Sequence, residues 1–321
     1  MSARDFAQTK DLLALWNVEH ALIGNHGGKG KLRKVVNLFQ RAAALSRAVS
    51  DRKAEMAVSH GSRSQVLAAW RLGIPSVLML DYEFTESRIF NTLATHLLMP
   101  VHIPDKRLAD AGFNLRKVVR YPGFKEEIYL RDFVPQADFR RSFSVNETDI
   151  LITLRPPSTT GNYHDARSEE LFRACVQHLT SDNNTHCLIV NRTSAEARLI
   201  PEAMRKRQNI SFLRHPVDGL QLMWHSDLVI SGGGTMNRES ALLGVPTYSI
   251  FTGRRAYLDE HLQEMGRLRF IESEGQVRSI PIVKREINGR FSAGNKGLAA
   301  QIVDTILSLQ SKSKSHYRGQ N

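Results

Sequence analysis

The stretch DLVISGGGTMNRESALLGVPTYSIF, residues 227–251, decides the fold of this chain. Leu228, Val229 and Ile230 form the short apolar run expected of a parallel strand covered on both faces, and residues 245–251 repeat it after Gly244 and Pro246. Between them the spacing predicts a helix over 236–243, with Thr235 as its N-cap. Gly232, Gly233 and Gly234 open backbone conformations closed to other residues and place no side chain in a ligand's way. A helix N-terminus carries roughly half a positive charge, so the amides around Gly233 to Met236 can receive a phosphate or pyrophosphate without a lysine. Ser231, Gly232, Gly233, Gly234, Thr235 and Met236 are therefore the expected phosphate-site residues. Glu239 follows about one turn into the helix, and its side chain leans toward the N-terminus, where its carboxylate can hold a ribose diol. The plainer alternative is a tight strand-to-helix turn, with Glu239 complementing the helix dipole or pairing with a neighbouring base.

Two other phosphate loops are excluded. A Walker A loop needs Gly-Lys-Ser/Thr after its second glycine, whereas this loop reads GGGTMN; in the dinucleotide pattern GxGxxG the last glycine is replaced by Asn237. Neither an ATPase nor a dehydrogenase follows.

Outward from this unit, strands alternate with helices. Apolar segments at 55–59, 75–80, 96–99 and 118–121 are separated by helical patterns at 65–72, 85–95 and 106–111. A second alternation runs through strands at 150–154, 187–191 and 210–213, with a helix at 171–179. The polar, proline-bearing stretch 131–146 separates the two series. The fold class is α/β, with two Rossmann-like parallel-sheet domains facing a cleft: an N-terminal domain over 1–135 and a C-terminal domain over 136–321 with a basic tail. At 321 residues, two domains of ordinary size are expected.

In an open parallel sheet, ligands sit beyond the carboxyl ends of the strands. The residues found there are His60, Asp81 and Glu83 after the first two strands, Arg155 after the first strand of the second series, and Arg214 before the glycine turn. Arg155 offers a planar fork of donors to a diphosphate; otherwise it is a surface arginine beside a proline turn. His60, Asp81, Glu83 and His164 are the acid/base candidates, with Glu86 nearby. Each also has a structural explanation: His60 at a strand end, Asp81 capping a helix, His164 in a loop rich in small polar residues.

The net charge of +12 favours anionic partners. Nucleic acid is not among those expected, because no zinc-finger, RRM or helix-turn-helix pattern organises the basic residues. Residues 32–49 read as a basic amphipathic helix, expected to lie on a sheet, with peripheral contact at an inner membrane as the sharper option. No apolar run of about 18 residues appears and the N-terminus lacks a signal-peptide pattern, so a cytoplasmic protein is expected. Cys175 and Cys187 lack metal-site or disulfide spacing and are expected to be inert core residues. No metal and no cofactor are called for; a homodimer is compatible with the chain.

The block SGGGTMNRESALLGVP resembles the nucleotide-binding turn in the C-terminal domain of GT-B enzymes, especially non-hydrolysing UDP-N-acetylglucosamine 2-epimerases. With IGNHGGKGKL (23–32), VSHGSRS (58–64), LDYEF (80–84) and LRPPSTTGNYH (154–164), nearly the whole chain is similar to the domain of unknown function 354 family of archaea and bacteria. The resemblance implies that the Ser-Gly-Gly turn holds a diphosphate, that Glu239 holds the ribose, that the region from Arg214 lines the base, and that the substrate is a nucleotide sugar, UDP-linked, with no metal. It also implies departures. Ser62 stands where the epimerases carry the aspartate of a His-Gly-Asp turn, Asp81 where they carry a glutamate, and Arg155 where they carry their catalytic histidine. Epimerase chemistry is thereby disfavoured, and a GT-B-like glycosyltransferase acting on a lipid-linked or glycan acceptor in surface polysaccharide or glycolipid assembly is expected. A 2-epimerase-like enzyme and a non-catalytic nucleotide-sugar-binding protein are the alternatives. The opening SARDFAQTKDLL reads as the segment after a second strand, so the N-terminal domain is expected to lack its first strand and helix, through a misassigned start or a truncated gene.

Overall fold

The computed structural model describes residues 1–5, 13–14, 16–25, 31–143, 145–157, 165–191, 193–213, 215, 217–287, 291 and 294–318. The chain forms two compact units, one of Met1–Lys125 with Asn295–Asn321, the other of Glu126–Gly294. The division lies at 125/126 rather than at 135/136. The basic C-terminal segment belongs to the first unit rather than the second, because its helix packs on the last strand of that unit.

The first unit opens with strand β1 (Ser2–Asp5), paired in parallel with β2 (Ala21–Asn25). The opening residues are thus strand, not the stretch after one. Helix α1 (Lys31–Val49) leads to β3 (Ala57–His60), followed by α2 (Arg63–Arg71), β4 (Ser76–Met79), α3 (Ser87–Leu93), β5 (His96–Pro100), α4 (Asp105–Asp110) and β6 (Val118–Tyr121). Strands β3 to β6 form a parallel sheet in chain order. Among the described residues β1 pairs only with β2, and β3 only with β4. A cavity of about 700 Å³ is lined by Met1 to Arg4 on one side and by Met56 to Ser62 on the other.

Helix α1 behaves differently along its length. Ala42 and Leu45 are buried with Ala68 of α2, and Ile23 of β2 packs against them. Leu32, Val35, Val36 and Phe39, at i, i+3, i+4 and i+7, are exposed instead of lying on a sheet. Buried Arg41 ties the helix down: it donates to the Ile23 carbonyl (2.8 Å), to Ser62 Oγ (3.3 Å) and to Ser64 Oγ, and burial lowers its pKa to about 10.

The second unit begins with α5 (Glu127–Leu130), then β7 (Ile150–Arg155), α6 (Ala166–Leu179), β8 (Thr185–Ile189), α7 (Ser194–Ala197), α8 (Glu202–Arg205), β9 (Ile210–Phe212), α9 (Gly219–His225) and β10 (Leu228–Ser231). It continues through α10 (Thr235–Leu242), β11 (Thr247–Ser249), α11 (Tyr257–Glu264), β12 (Arg269–Phe270) and α12 (Glu274–Arg278). The chain then returns to the first unit with α13 (Leu298–Arg318). The six strands are all parallel, in the order β12-β11-β10-β7-β8-β9. The order reverses between β7 and β10, which opens a crevice at their carboxyl ends. Ile152, Leu154, Phe172, Cys175, Cys187, Ile189 and Ile230 fill one core layer, and burial pushes both cysteine thiols up to about 12. Asp227 anchors the mouth of β10: its buried carboxylate accepts from the Leu151 amide (2.7 Å) and the Arg285 amide (2.9 Å), and Arg140 and Lys284 each approach to 3.4 Å.

Candidate functional site

The crevice residues are brought together by strand register. Ser231, the last residue of β10, lies opposite Arg155, the last of β7. The Gly232 amide donates to the Arg155 carbonyl at 3.3 Å, and Ser231 Oγ accepts from the Gly233 amide at 3.2 Å. Gly232 runs against the Pro156-Pro157 loop so closely that a Cβ there would lie 2.6 Å from Pro157 Cα. Gly233 (φ +100°) and Gly234 (φ +88°) occupy the region that favours glycine. The three glycines therefore satisfy separate demands, one of space and two of backbone angle.

Helix α10 starts at Thr235, with Gly234 at the N-cap and no side-chain cap. Thr235 is thus the first helical residue rather than the cap, and Gly234, at positive φ, occupies the cap position. With no capping side chain, the first-turn amides look for an acceptor from outside the helix, where the dipole favours an anion. Met236 is buried in the apolar cluster with Leu130, Met223 and Val229, so its contribution at the turn is its backbone.

Glu239 is half-buried and accepts a hydrogen bond from the Tyr129 hydroxyl at 2.6 Å. Beside it, Arg238 is buried and donates through Nε to Glu126 (2.9 Å) and through Nη1 to Asp259 (3.1 Å). Successive side chains of α10 are thereby held by the segment that starts the second unit. Burial first, then the Glu239 and Glu126 charges, raise the Tyr129 pKa, so its hydroxyl remains a donor at neutral pH.

The first unit holds a separate polar cluster at the ends of β3 and β4. His60 Nε2 lies 3.2 Å from Asp81 Oδ1, and Lys125 Nζ pairs with Asp81 Oδ2. His60 is half-exposed and lines the large cavity; Asp81 is buried. Asp81 does not cap the following helix: the N-cap of α3 is Glu86, which accepts from the Arg88 amide at 3.0 Å. Glu83 is fully buried, 3.4 Å from Arg107, whose guanidinium also lies over the Phe84 ring; this anchors the loop after β4. Ser62 caps α2. His164 and Arg214 lie outside the described residues. Among the described residues, no group of three or more His, Cys, Asp or Glu side chains could hold a metal ion.

Sequence reasoning missed Lys125, Tyr129 and Arg238. Lys125 follows the carboxyl end of β6, a position of the same kind as those singled out after other strands. Tyr129 carries no local signal, because its partner lies 110 residues away.

A family model described as protein of unknown function (DUF354) matches residues 1–287. The chain belongs to that family. Among its relatives, the uncharacterised protein MJ0665 of Methanocaldococcus jannaschii is 24% identical over 277 residues, covering 84% of this chain and 78% of that protein. Two solved structures share the fold of this DUF354 chain. The UDP-GlcNAc 2-epimerase of Neisseria meningitidis, bound to UDP-GlcNAc, has a TM-score of 0.70 at 13% identity, covering 93% of this chain and 88% of the epimerase. The M. jannaschii UDP-GlcNAc 2-epimerase in complex with UDP-GlcNAc and UDP has a TM-score of 0.70 at 15% identity, with coverage of 94% and 88%. The DUF354 chain is thus GT-B-like, with parallel α/β sheets in separate domains, as its sequence predicted.

Proposed function

We propose that this DUF354 chain binds a nucleotide sugar, UDP-linked, at the carboxyl ends of β7 and β10, and acts as a glycosyltransferase. One observation carries the reading: an uncapped helix start beneath a triple-glycine turn, with Arg155 in register beside it at the point where strand order reverses. The amides of Gly234 to Met236 and the Arg155 guanidinium would hold the diphosphate, with the Gly233 amide held by Ser231 Oγ, and Glu239 would hold the ribose. Relatives in fold that carry UDP or UDP-GlcNAc support the same ligand class. Transfer from such a donor needs donors that stabilise the departing diphosphate and a base for an acceptor hydroxyl. Within the first unit, the His60–Asp81 pair has the chemistry of a general base, with the carboxylate beside the imidazole.

The acceptor we favour is lipid-linked or glycan, in surface polysaccharide or glycolipid assembly at the inner face of a membrane. No helix among the described residues is long and apolar enough to cross a membrane. Support for a peripheral contact comes from α1, whose exposed stripe is flanked by Arg33 and Lys34 and whose sequence contains no acidic residue.

The fold favours a second reading, that of a UDP-sugar 2-epimerase. Arg155 at the end of β7 counts against it, because the guanidinium stays protonated and cannot take a proton from the sugar. Calorimetric titration with UDP, UDP-sugars and GDP-sugars tests binding, and UDP compounds are expected to bind selectively. With the ligand so found, transfer to acceptor marks a transferase, while solvent deuterium entering the sugar at C2 would replace that reading with the epimerase one. Binding with neither reaction would leave a binding protein.

A further inference from the structure

The Glu239 carboxylate on α10 is not left to find its own rotamer. Three links fasten the segment 126–130 to α10: the Glu126–Arg238 ion pair, the packing of Leu130 with Met236, and the 2.6 Å hydrogen bond from the Tyr129 hydroxyl to Glu239 Oε1. The first two are buried. The third lies at the surface, where Tyr129 is 38% exposed.

We propose that Tyr129 is a positioning residue that sets Glu239 for the ribose diol, and thereby sets a preference for ribonucleotides over 2′-deoxyribonucleotides; the inference rests on the nucleotide-sugar reading above. A glutamate in the first turns of a helix has three rotatable side-chain bonds, and holding it in one geometry costs entropy that a ligand must otherwise supply. The phenol does this beforehand. It donates a single hydrogen to one oxygen of a carboxylate that has about four acceptor positions. A surface hydroxyl–carboxylate contact contributes little to folding, so its effect is expected in ligand discrimination rather than in stability.

The test is calorimetric titration of the full chain with UDP and with 2′-deoxy-UDP. The wild type is expected to prefer UDP by about tenfold, the size of a hydrogen bond to a charged group. Tyr129→Phe and Glu239→Gln are each expected to collapse that ratio toward one at unchanged Tm, and the double variant to lose nothing beyond Glu239→Gln alone. A Tyr129→Phe protein that keeps the full ratio, while Glu239→Gln loses it, overturns the role of Tyr129 and leaves the ribose site standing. Loss by Tyr129→Phe of equal size in the Glu239→Gln background also overturns it, since the tyrosine would then act independently of the carboxylate. A wild type that binds neither nucleotide, or both equally, overturns the ribose reading itself and this inference with it.

Discussion

Asp227 shows how one buried carboxylate organises the entrance to the central strands. It receives two backbone amides and faces Arg140 and Lys284, so it neutralises basic groups while fixing the start of β10 against β7. Replacing it with Asn keeps the shape but leaves Arg140, itself buried, without its counter-charge. Asp227→Asn is expected to cost about 3–5 kcal/mol, the penalty for breaking a buried pair, read from urea unfolding. The glycines offer a graded comparison at the same scale. Gly232→Ala would press a methyl into the Pro157 backbone, whereas Gly234→Ala meets open space and only the strain of φ +88°. The second is expected to lose about 1–2 kcal/mol and to retain UDP binding, and the first to lose both stability and binding, by denaturation and calorimetry. Equal behaviour of the two would mean that closeness to Pro157 is irrelevant.

At the scale of elements, α1 is the part whose sequence and structure diverge most. Its buried half, around Ala42 and Leu45, does what amphipathic periodicity predicts, while its amino-terminal half leaves Leu32, Val35, Val36 and Phe39 in solvent. An apolar stripe beside basic residues should bind vesicles containing phosphatidylglycerol and ignore purely zwitterionic ones, and Val36→Asp with Phe39→Asp should abolish that binding in a flotation assay. Strand and helix positions were legible because period and punctuation are local: the runs at 75–80, 96–99 and 118–121 became β4, β5 and β6 within about two residues. The glycine turn was legible for the same reason. Hidden from sequence were the groups defined by distant partners, such as Lys125 on Asp81 across 44 residues and Tyr129 on Glu239 across 110. The helix start at 235 was misread because a glycine can occupy the cap without a capping side chain. The return of α13 to the first unit was equally invisible, since nothing in its composition names the strand on which it packs.

For the molecule as a whole, two histidines of the second unit make stability depend on pH. Burial lowers the pKa of His186, which bonds Ser211 Oγ at 2.7 Å, and burial likewise lowers that of His225, which stacks on Phe139. Below the unfolded value of about 6.5 the unfolded chain takes up protons that the folded chain refuses, so stability falls as pH drops from there toward the folded values. Scanning calorimetry is expected to show a Tm that declines between pH 7 and pH 5, with a shallower decline in His186→Gln. The two cysteines lead to a different kind of consequence. Both sulfurs are sealed in the same core layer and resist ionisation, so maleimide dyes and spin labels should pass them by. The natural chain is therefore a silent background for thiol chemistry, and one new surface cysteine can carry a fluorophore or nitroxide without any native residue first being removed.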